Sequence, residues 1–281
     1  MRWGPEIQCS VGVVWAGCGA GLLPLAVRGG GTVTHPLDGA HLKIERTWEV
    51  LDALNQEIRA FVETEPYGYW IEPEPDSDWM LVRVEARRAI PDHLGLLFGD
   101  AVHNVRSALN HLAYELAVAG SGPGRGTQWP IYKEPADWNA HHRRHLEGVN
   151  PAYWAAVEHL QPYQDPENLD WLFRLKELDD ADKHRQLQPA QVAPAARDLV
   201  FTPPVVEVEE LPGRVYMEQG AVVARMRTTE AVPHVHVEAR FGLGFLFGTG
   251  PWGGTPRDVV QFGHGVNALL IKFGAIAFPR S

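Results

Sequence analysis

Hydrophobic positions change their spacing along the chain, and the change separates helical segments from β-strands. Between residues 41 and 63 apolar residues recur every three or four positions with charged residues between them, which predicts an amphipathic helix that Pro66 ends. Residues 67–71 and 79–86 alternate apolar and polar side chains on either side of a turn rich in Pro and Asp. This alternation predicts a β-hairpin.

Four further segments before residue 190 carry helical signals. Ile90-Pro91-Asp92 is a typical helix start, and the helix it opens extends to the glycines that follow residue 119. Shorter helices are predicted at residues 135–146 and 151–160, and a longer one at 167–187, where leucines recur every three residues. Pro189 and Pro194 are expected to close the helical part of the chain.

From about Arg197 the chain is rich in β-branched residues and turn residues, which predicts one small antiparallel sheet. Its strands are expected at residues 199–201, 205–208, 214–217, 222–226 and 234–241. The glycines between residues 242 and 250 are interpreted as turn residues, and apolar spacing at 256–278 predicts a closing helix. The predicted fold class is therefore α+β: a helical bundle over residues 41–190 with a β-hairpin inserted at about 67–88, followed over residues 197–281 by an antiparallel β region and a C-terminal helix.

Residues 1–40 are interpreted as a flexible leader. Residues 11–27 form a mostly apolar run, but several glycines and Pro24 weaken it as a helix, and Glu6 stands where a signal peptide is usually basic. Trp15-Ala16-Gly17-Cys18 weakly matches a lipoprotein cleavage site, which leaves export as the alternative. Cys9 and Cys18 are the two cysteines of the chain, so a disulfide framework is not expected and a reducing cytoplasm is the predicted setting.

The overall charge limits the partners that the chain can bind through bulk electrostatics. The formal charge is −10 over 281 residues, which favours solubility and argues against coating nucleic acid with a positive surface. Contact with RNA therefore requires a local basic site. His141, His142, Arg143, Arg144 and His145 form the strong basic cluster of the sequence, which is either ordinary exposed surface or a site for a phosphate backbone.

The helix near residues 92–119 has a polar face of unusual composition. At about 100° per residue, its apolar residues gather on one side. Lys and Glu dominate ordinary solvated helix faces, whereas short polar side chains suit fixed hydrogen bonds, metal binding, proton transfer or a buried polar network. Arg106 lies at the flank of the opposite side. The short polar residues of that side are Asp100, His103, Asn104, Ser107, Asn110 and His111.

Two resemblances rest on this helix. Residues 99–113 are similar to a stretch in uncharacterised bacterial proteins that also carry a later Asp-Lys-His motif, here Asp182-Lys183-His184, and this similarity implies no activity. Arg106 and His111 resemble the Arg-x4-His motif of the HEPN superfamily of helical-bundle ribonucleases, although Ser107 departs from the residues that often follow the arginine. This resemblance implies that Arg106 binds the scissile phosphate and His111 assists proton transfer, in a cleft formed by two protomers.

The helix at residues 167–187 is expected to face this site. Asp179 and Asp182 share the side that carries its leucines, so one of them should meet Arg106 or His103, as an ion pair or as the group that orients the histidine. Asp100 and His103 also have the spacing of helical metal sites, and Asp179, Asp182 or His184 could add ligands. A metal-dependent hydrolase is therefore a third hypothesis.

The leading hypothesis is a HEPN-like, metal-independent endoribonuclease without cofactor, in the manner of a toxin or defence factor, acting on RNA as a cytoplasmic homodimer without membrane association. Its expected catalytic residues are Arg106, His111 and His103. The alternative is a non-catalytic binding or structural protein in which the same polar face forms a buried network. The supporting residues in the leading hypothesis are Asp100, Asn104, Ser107, Asn110, Asp182 and His184.

Overall fold

The computed structural model describes residues 35–122, 124–184, 187, 189–194, 198–202, 207–210, 214–227, 236–240, 244–248 and 253–279. These residues form helices and small antiparallel sheets, which confirms the predicted α+β class. The predicted leader and both cysteines lie outside the described residues, except for residues 35–40.

The predicted helices are present, with small differences at their ends. Helix α1 begins three residues earlier than predicted, because Asp38 accepts a hydrogen bond from the backbone amide of His35 and thereby supports the first turn. Residues 38–40 consequently belong to this helix rather than to a leader. The helices are α1 Asp38–Glu63, α2 His93–Ala119, α3 Pro135–His145, α4 Trp154–Glu158 after a 3-10 turn at Pro151–Tyr153, α5 Pro166–His184 and α6 Pro256–Ala277.

The strands within the described residues form three antiparallel groups instead of one sheet. The first sheet has the order β1-β2-β7-β5, the second β6-β3-β9, and β4 pairs with β8. The strands are β1 Tyr67–Pro73, β2 Trp79–Ala86, β3 Pro189–Pro194, β4 Asp198–Thr202, β5 Glu207–Glu210, β6 Arg214–Tyr216, β7 Val222–Arg227, β8 His236–Arg240 and β9 Gly244–Phe247.

The predicted hairpin is confirmed, but it is not a separate insertion in the bundle. Strand β2 also pairs with β7, from Trp79 opposite Arg227 to Arg83 opposite Val222, so the hairpin belongs to the same sheet as two later strands. Strand β3 occupies the stretch that its prolines had marked as a break, and β9 occupies part of the predicted glycine turn. Both strands depend on long-range pairing, which local sequence signals do not reveal.

The chain divides into two compact units that interleave along the sequence. One comprises residues 1–20, 56–94 and 189–246, and its described part contains the hairpin and most of the later strands. The other comprises residues 21–55, 95–188 and 247–281, and its described part is mainly helical. The closing helix α6 therefore belongs to the helical unit rather than to the β region that precedes it in the sequence.

The helical unit has an aromatic core against which one face of α6 packs. Phe98 stacks on Phe247 with ring centroids 4.3 Å apart, and Trp129 meets Phe273 of α6 edge to face at 5.3 Å. In the part of the chain that the structure describes, α6 is the one helix long and apolar enough to cross a membrane by length and composition. Its buried residues include Val259, Phe262, Val266, Leu270 and Phe273.

Candidate functional site

His103 of α2 and Asp179 of α5 form a histidine–carboxylate pair across the two helices. Nδ1 of His103 lies 2.9 Å from Oδ1 of Asp179, and an ionised carboxylate can only accept, so Nδ1 carries the proton. The imidazole is 55% exposed whereas the carboxylate is 1% exposed. This arrangement fixes the tautomer of His103 and leaves its Nε2 available to solvent, as general acid–base catalysis requires. It also confirms the expectation that Asp179 or Asp182 meets Arg106 or His103.

Two cations compensate for the burial of Asp179, in addition to the hydrogen bond with His103. Lys183, also on α5, places Nζ 2.5 Å from Oδ2, an ion pair whose angles fall outside hydrogen-bond geometry. The second cation is the buried guanidinium of Arg106: burial lowers its pKa, and the negative charges of Asp179 and Asp180 oppose that effect. Since an isolated carboxylate would be costly to bury, these neighbours stabilise the side chain of Asp179 in its position behind His103.

Arg106 belongs to the interior rather than to the exposed part of the polar face. The residue is 6% exposed, and its Nη2 donates a hydrogen bond of 2.9 Å to the carbonyl oxygen of Trp129. Asn110, one turn further along α2, accepts a bond of 3.1 Å from the backbone N–H of Trp129. The two side chains therefore clamp one residue of the connection between α2 and α3, and they satisfy backbone groups that would otherwise be buried without partners.

Asp182 lies against the backbone of α2 at Gly99. A Cβ atom at position 99 would be 2.6 Å from Cγ and 2.7 Å from Oδ2 of Asp182, so only a glycine leaves room for this carboxyl group. Burial raises the pKa of Asp182, the charges of Asp100 and Asp179 raise it further, and His103 and Lys183 act in the opposite direction. Asp182 is thus a close electrostatic neighbour of the His103–Asp179 pair.

The other predicted site residues are distributed along α2 and α5. Asp100 is exposed, and its carbonyl oxygen accepts a hydrogen bond from the side chain of Asn104. Ser107 is half-buried, and His184 is exposed in the last turn of α5. Asn104 and Asp100 consequently belong to the surface that also carries His103.

The side chains of Arg106 and His111 point in different directions from α2. The guanidinium of Arg106 is committed to Trp129, whereas His111 is exposed and its ring lies beside Gly39 of α1. The two positions differ by five along the helix, which turns their side chains about 140° apart. Of the three predicted catalytic residues, His103 is the one for which the described part of the chain shows a hydrogen bond with a carboxylate.

The basic cluster on α3 has both structural and unpaired members. His142 stacks on Trp138 with ring centroids 4.7 Å apart, and His145 lies 2.8 Å from the side chain of Gln128 through Nδ1. Arg143 and Arg144 are exposed, and no ion pair within the described residues includes either of them. The two arginines are therefore available to bind an anion, whereas these two histidines already contact other side chains of the protein.

Sequence reasoning missed three contributors to this site. Gly99 and Lys183 both stand next to residues that it had selected, and the spacing of four residues between Asp179 and Lys183 is a signal for a helical ion pair. The backbone of Trp129 has no signal, because its role depends on how a connecting segment crosses α2. Within the described ranges, no three His, Cys, Asp or Glu side chains are grouped as metal ligands.

Comparisons with known proteins gave no relative. No family model matches the chain. A search of curated proteins found no match, and a search of solved structures found none either.

Proposed function

We propose that the protein is an endoribonuclease in which His103 carries the proton and Asp179 orients it. The observation that supports this proposal is the 2.9 Å contact between Nδ1 of the exposed imidazole and the buried carboxylate. Such a pair holds one ring nitrogen and presents the other to a substrate, which is the arrangement that proton transfer needs near neutral pH.

In this reaction Nε2 of His103 accepts the proton of a ribose 2′-hydroxyl. The 2′-oxygen then forms a bond to phosphorus as the bond between phosphorus and the 5′-oxygen breaks. The leaving 5′-oxygen takes up a proton, so the products are a 2′,3′-cyclic phosphate and a 5′-hydroxyl end. Lys183 is, among the described residues, an exposed cation in contact with Asp179, and it is the proposed contact for the phosphate. Arg106 supports the pair from inside through its charge and its bond to Trp129.

RNA as the substrate rests on two separate observations. The Arg-x4-His spacing in α2 resembles that of the HEPN ribonucleases, and the exposed arginines 143 and 144 of α3 have no acidic partner among the residues that the structure describes. In a chain with a formal charge of −10, unpaired cations provide the local site that a polyanion requires. The His103–Asp179 pair itself supports proton transfer and does not select a substrate.

The proposal is tested by RNA cleavage with purified full-length protein. His103→Gln should lower cleavage by about 10²-fold or more, because the positioned base is removed. Asp179→Asn should also lower it, since the tautomer of His103 is no longer fixed. His159→Gln, which changes an exposed histidine of the connection after α4, serves as the matched control and should cleave like the wild type.

The same assay separates the competing assignments. Loss of cleavage in His111→Gln with normal cleavage in His103→Gln would favour the Arg-x4-His assignment over ours. Cleavage abolished by a chelator and restored by a divalent cation would favour the metal-dependent hydrolase. A wild-type protein that leaves all RNA substrates intact would contradict the ribonuclease proposal altogether.

A non-catalytic role is the second candidate, and the Arg106–Trp129–Asn110 clamp favours it. Those two side chains are used to fix the backbone, as expected for a polar network that holds a bundle together. If this role accounts for the whole polar face, His103→Gln and Asp179→Asn will change stability without changing any RNA-dependent signal. Melting temperatures measured beside the cleavage assay distinguish the two candidates.

We also propose that the protein acts as a homodimer, as the HEPN resemblance implies. The exposed and half-exposed positions of α2 lie along one side of the helix and form a stripe, with His103 near its middle. Towards its ends this stripe carries the exposed apolar residues Leu96, Tyr114 and Val118. An apolar surface of this kind suits a second copy of the same helix, because a two-fold axis brings the same stripe from both chains together.

A further inference from the structure

Asp182 lies close to the proposed site but has no role in the reaction described above. Its carboxyl group occupies the space that a side chain at Gly99 would fill. Gly99 is four residues before His103, so both lie on the same side of α2, one turn apart. Asp182 is therefore held against α2 one helical turn before the proposed proton carrier.

Asp182 differs from the neighbouring aspartates of α5 in its bonding partners. Within the described part of the chain, no donor or cation forms a hydrogen bond or ion pair with its carboxyl group, whereas Asp179 and Asp180 are both paired. The charged groups that face it are Asp100 and His103 of α2 and Asp179 and Lys183 of α5. Burial raises the pKa of Asp182, and the two neighbouring carboxylates add to this.

We propose that Asp182 is the general acid of the reaction in which His103 is the base. As the bond between phosphorus and the 5′-oxygen breaks, the carboxyl proton of Asp182 passes to that oxygen, and the proton of the 2′-hydroxyl passes to Nε2 of His103. Exchange with water then returns His103 and Asp182 to their starting states. This inference rests on the proposed function.

Protonation of Asp182 also makes the site more favourable for a phosphate. With Asp182 neutral, the carboxylates of Asp100 and Asp179 are the negative charges that face this position. With Asp182 ionised, the same surface carries an additional negative charge beside the reacting group. Activity should therefore decline as pH rises through the pKa of Asp182, which lies above the ordinary value of 3.8 for aspartate.

The decisive experiment compares two leaving groups in the full-length protein. One substrate is an RNA dinucleotide, whose alkoxide leaving group needs a proton, and the other is a uridine 3′-aryl phosphate, whose phenolate leaving group does not. Asp182→Asn should lower cleavage of the dinucleotide by about 10²-fold and leave the aryl ester nearly unchanged. Asp100→Asn removes a neighbouring charge from α2 without removing the acid, so it should affect both substrates alike.

Two further measurements keep the test independent of one variant. Gly99→Ala should displace the carboxyl group from α2 and reproduce the leaving-group dependence, and melting curves establish that each variant is folded. A ¹³C NMR titration of the Asp182 carboxyl in the wild-type protein reports its protonation directly, and a midpoint at or below the ordinary value would overturn the inference. If the wild type cleaves neither substrate, the proposed function fails and the acid role fails with it. If the wild type cleaves both but Asp182→Asn loses both equally or neither, the acid role alone is wrong.

Discussion

At the scale of single residues, the polar face of α2 contains both exposed side chains and a side chain that binds inside the protein. His103 and Asp100 are exposed, whereas Arg106, between His103 and Asn110, is turned into the protein to bind the backbone of Trp129. A helix places residues three or four positions apart on the same side, but the long side chain of arginine can leave that side and reach a neighbouring segment. Chemical type and spacing therefore do not separate a surface cation from an internal one.

The internal role of Arg106 predicts a large effect on stability. Arg106→Ala removes the donor to a buried carbonyl oxygen and empties the space of a long side chain, so the free energy of unfolding should fall by about 2–4 kcal/mol. Arg143→Ala removes an exposed arginine of α3 and should change the stability by less than about 0.5 kcal/mol. Urea denaturation of the two variants measures the difference. Equal stabilities would show that the bond to Trp129 contributes little.

At the scale of elements, α6 packs in the helical unit through contacts between tryptophan rings and glycines of its backbone. A Cβ atom at position 263 would lie 2.5 Å from Cη2 of Trp48, and one at position 265 would lie 2.6 Å from Cζ2 of Trp171. The indole rings of α1 and α5 therefore approach the backbone of α6 where it has no side chains. The N-terminus of α6 is also tied to α5, because Asp258 caps it together with Thr255 and pairs with Arg174 at 2.9 Å.

This packing predicts opposite effects of the same substitution at two positions of α6. Gly263→Ala should destabilise the protein by about 1–3 kcal/mol, since the added methyl group overlaps the ring of Trp48. Gly274→Ala meets only Leu37 at 3.4 Å, so the higher helix propensity of alanine should stabilise by about 0.5–1 kcal/mol. Thermal unfolding of both variants tests the pair. A stabilising effect at position 263 would mean that Trp48 moves aside without cost.

At the scale of the whole molecule, the order of elements in the sequence does not match the order of compact units. The hairpin β1–β2 follows α1 in the sequence but joins β7 and β5 in a sheet, and α6 follows the β region but belongs to the helical unit. Both units are assembled from separate stretches of chain, so each depends on contacts between residues far apart in sequence. Such contacts decide the architecture after the local elements have formed.

The proposed homodimer is a prediction at this scale. Sedimentation equilibrium at micromolar concentration should give twice the mass of one chain, and Tyr114→Glu should shift the protein to the monomer because it places a charge on the apolar part of the exposed stripe of α2. Ile271→Glu introduces the same charge at an exposed apolar position of α6 and is the matched control. A monomeric wild type, or a dimer that tolerates Tyr114→Glu but not Ile271→Glu, would contradict the proposed interface.

The predictability of the site differs from residue to residue. The composition of α2 identified His103, and the leucine side of α5 identified Asp179 and Asp182 as its possible partners. Which aspartate meets the histidine depends on the axial register of the two helices, and a shift of one helical turn would exchange them. Gly99 decides part of that register, because Asp182 can approach α2 only where the side chain is absent.

The sequence by itself determined the helices, the hairpin and the α+β class, because apolar periodicity, prolines and turn residues act over a few neighbouring positions. It also determined that α2 carries a face of short polar side chains. Only the tertiary structure decided that β2 pairs with β7, that Arg106 binds Trp129 and that Asp179 contacts His103. Each of these contacts joins segments separated by many residues, and their geometry is set by packing between elements, which no local pattern contains.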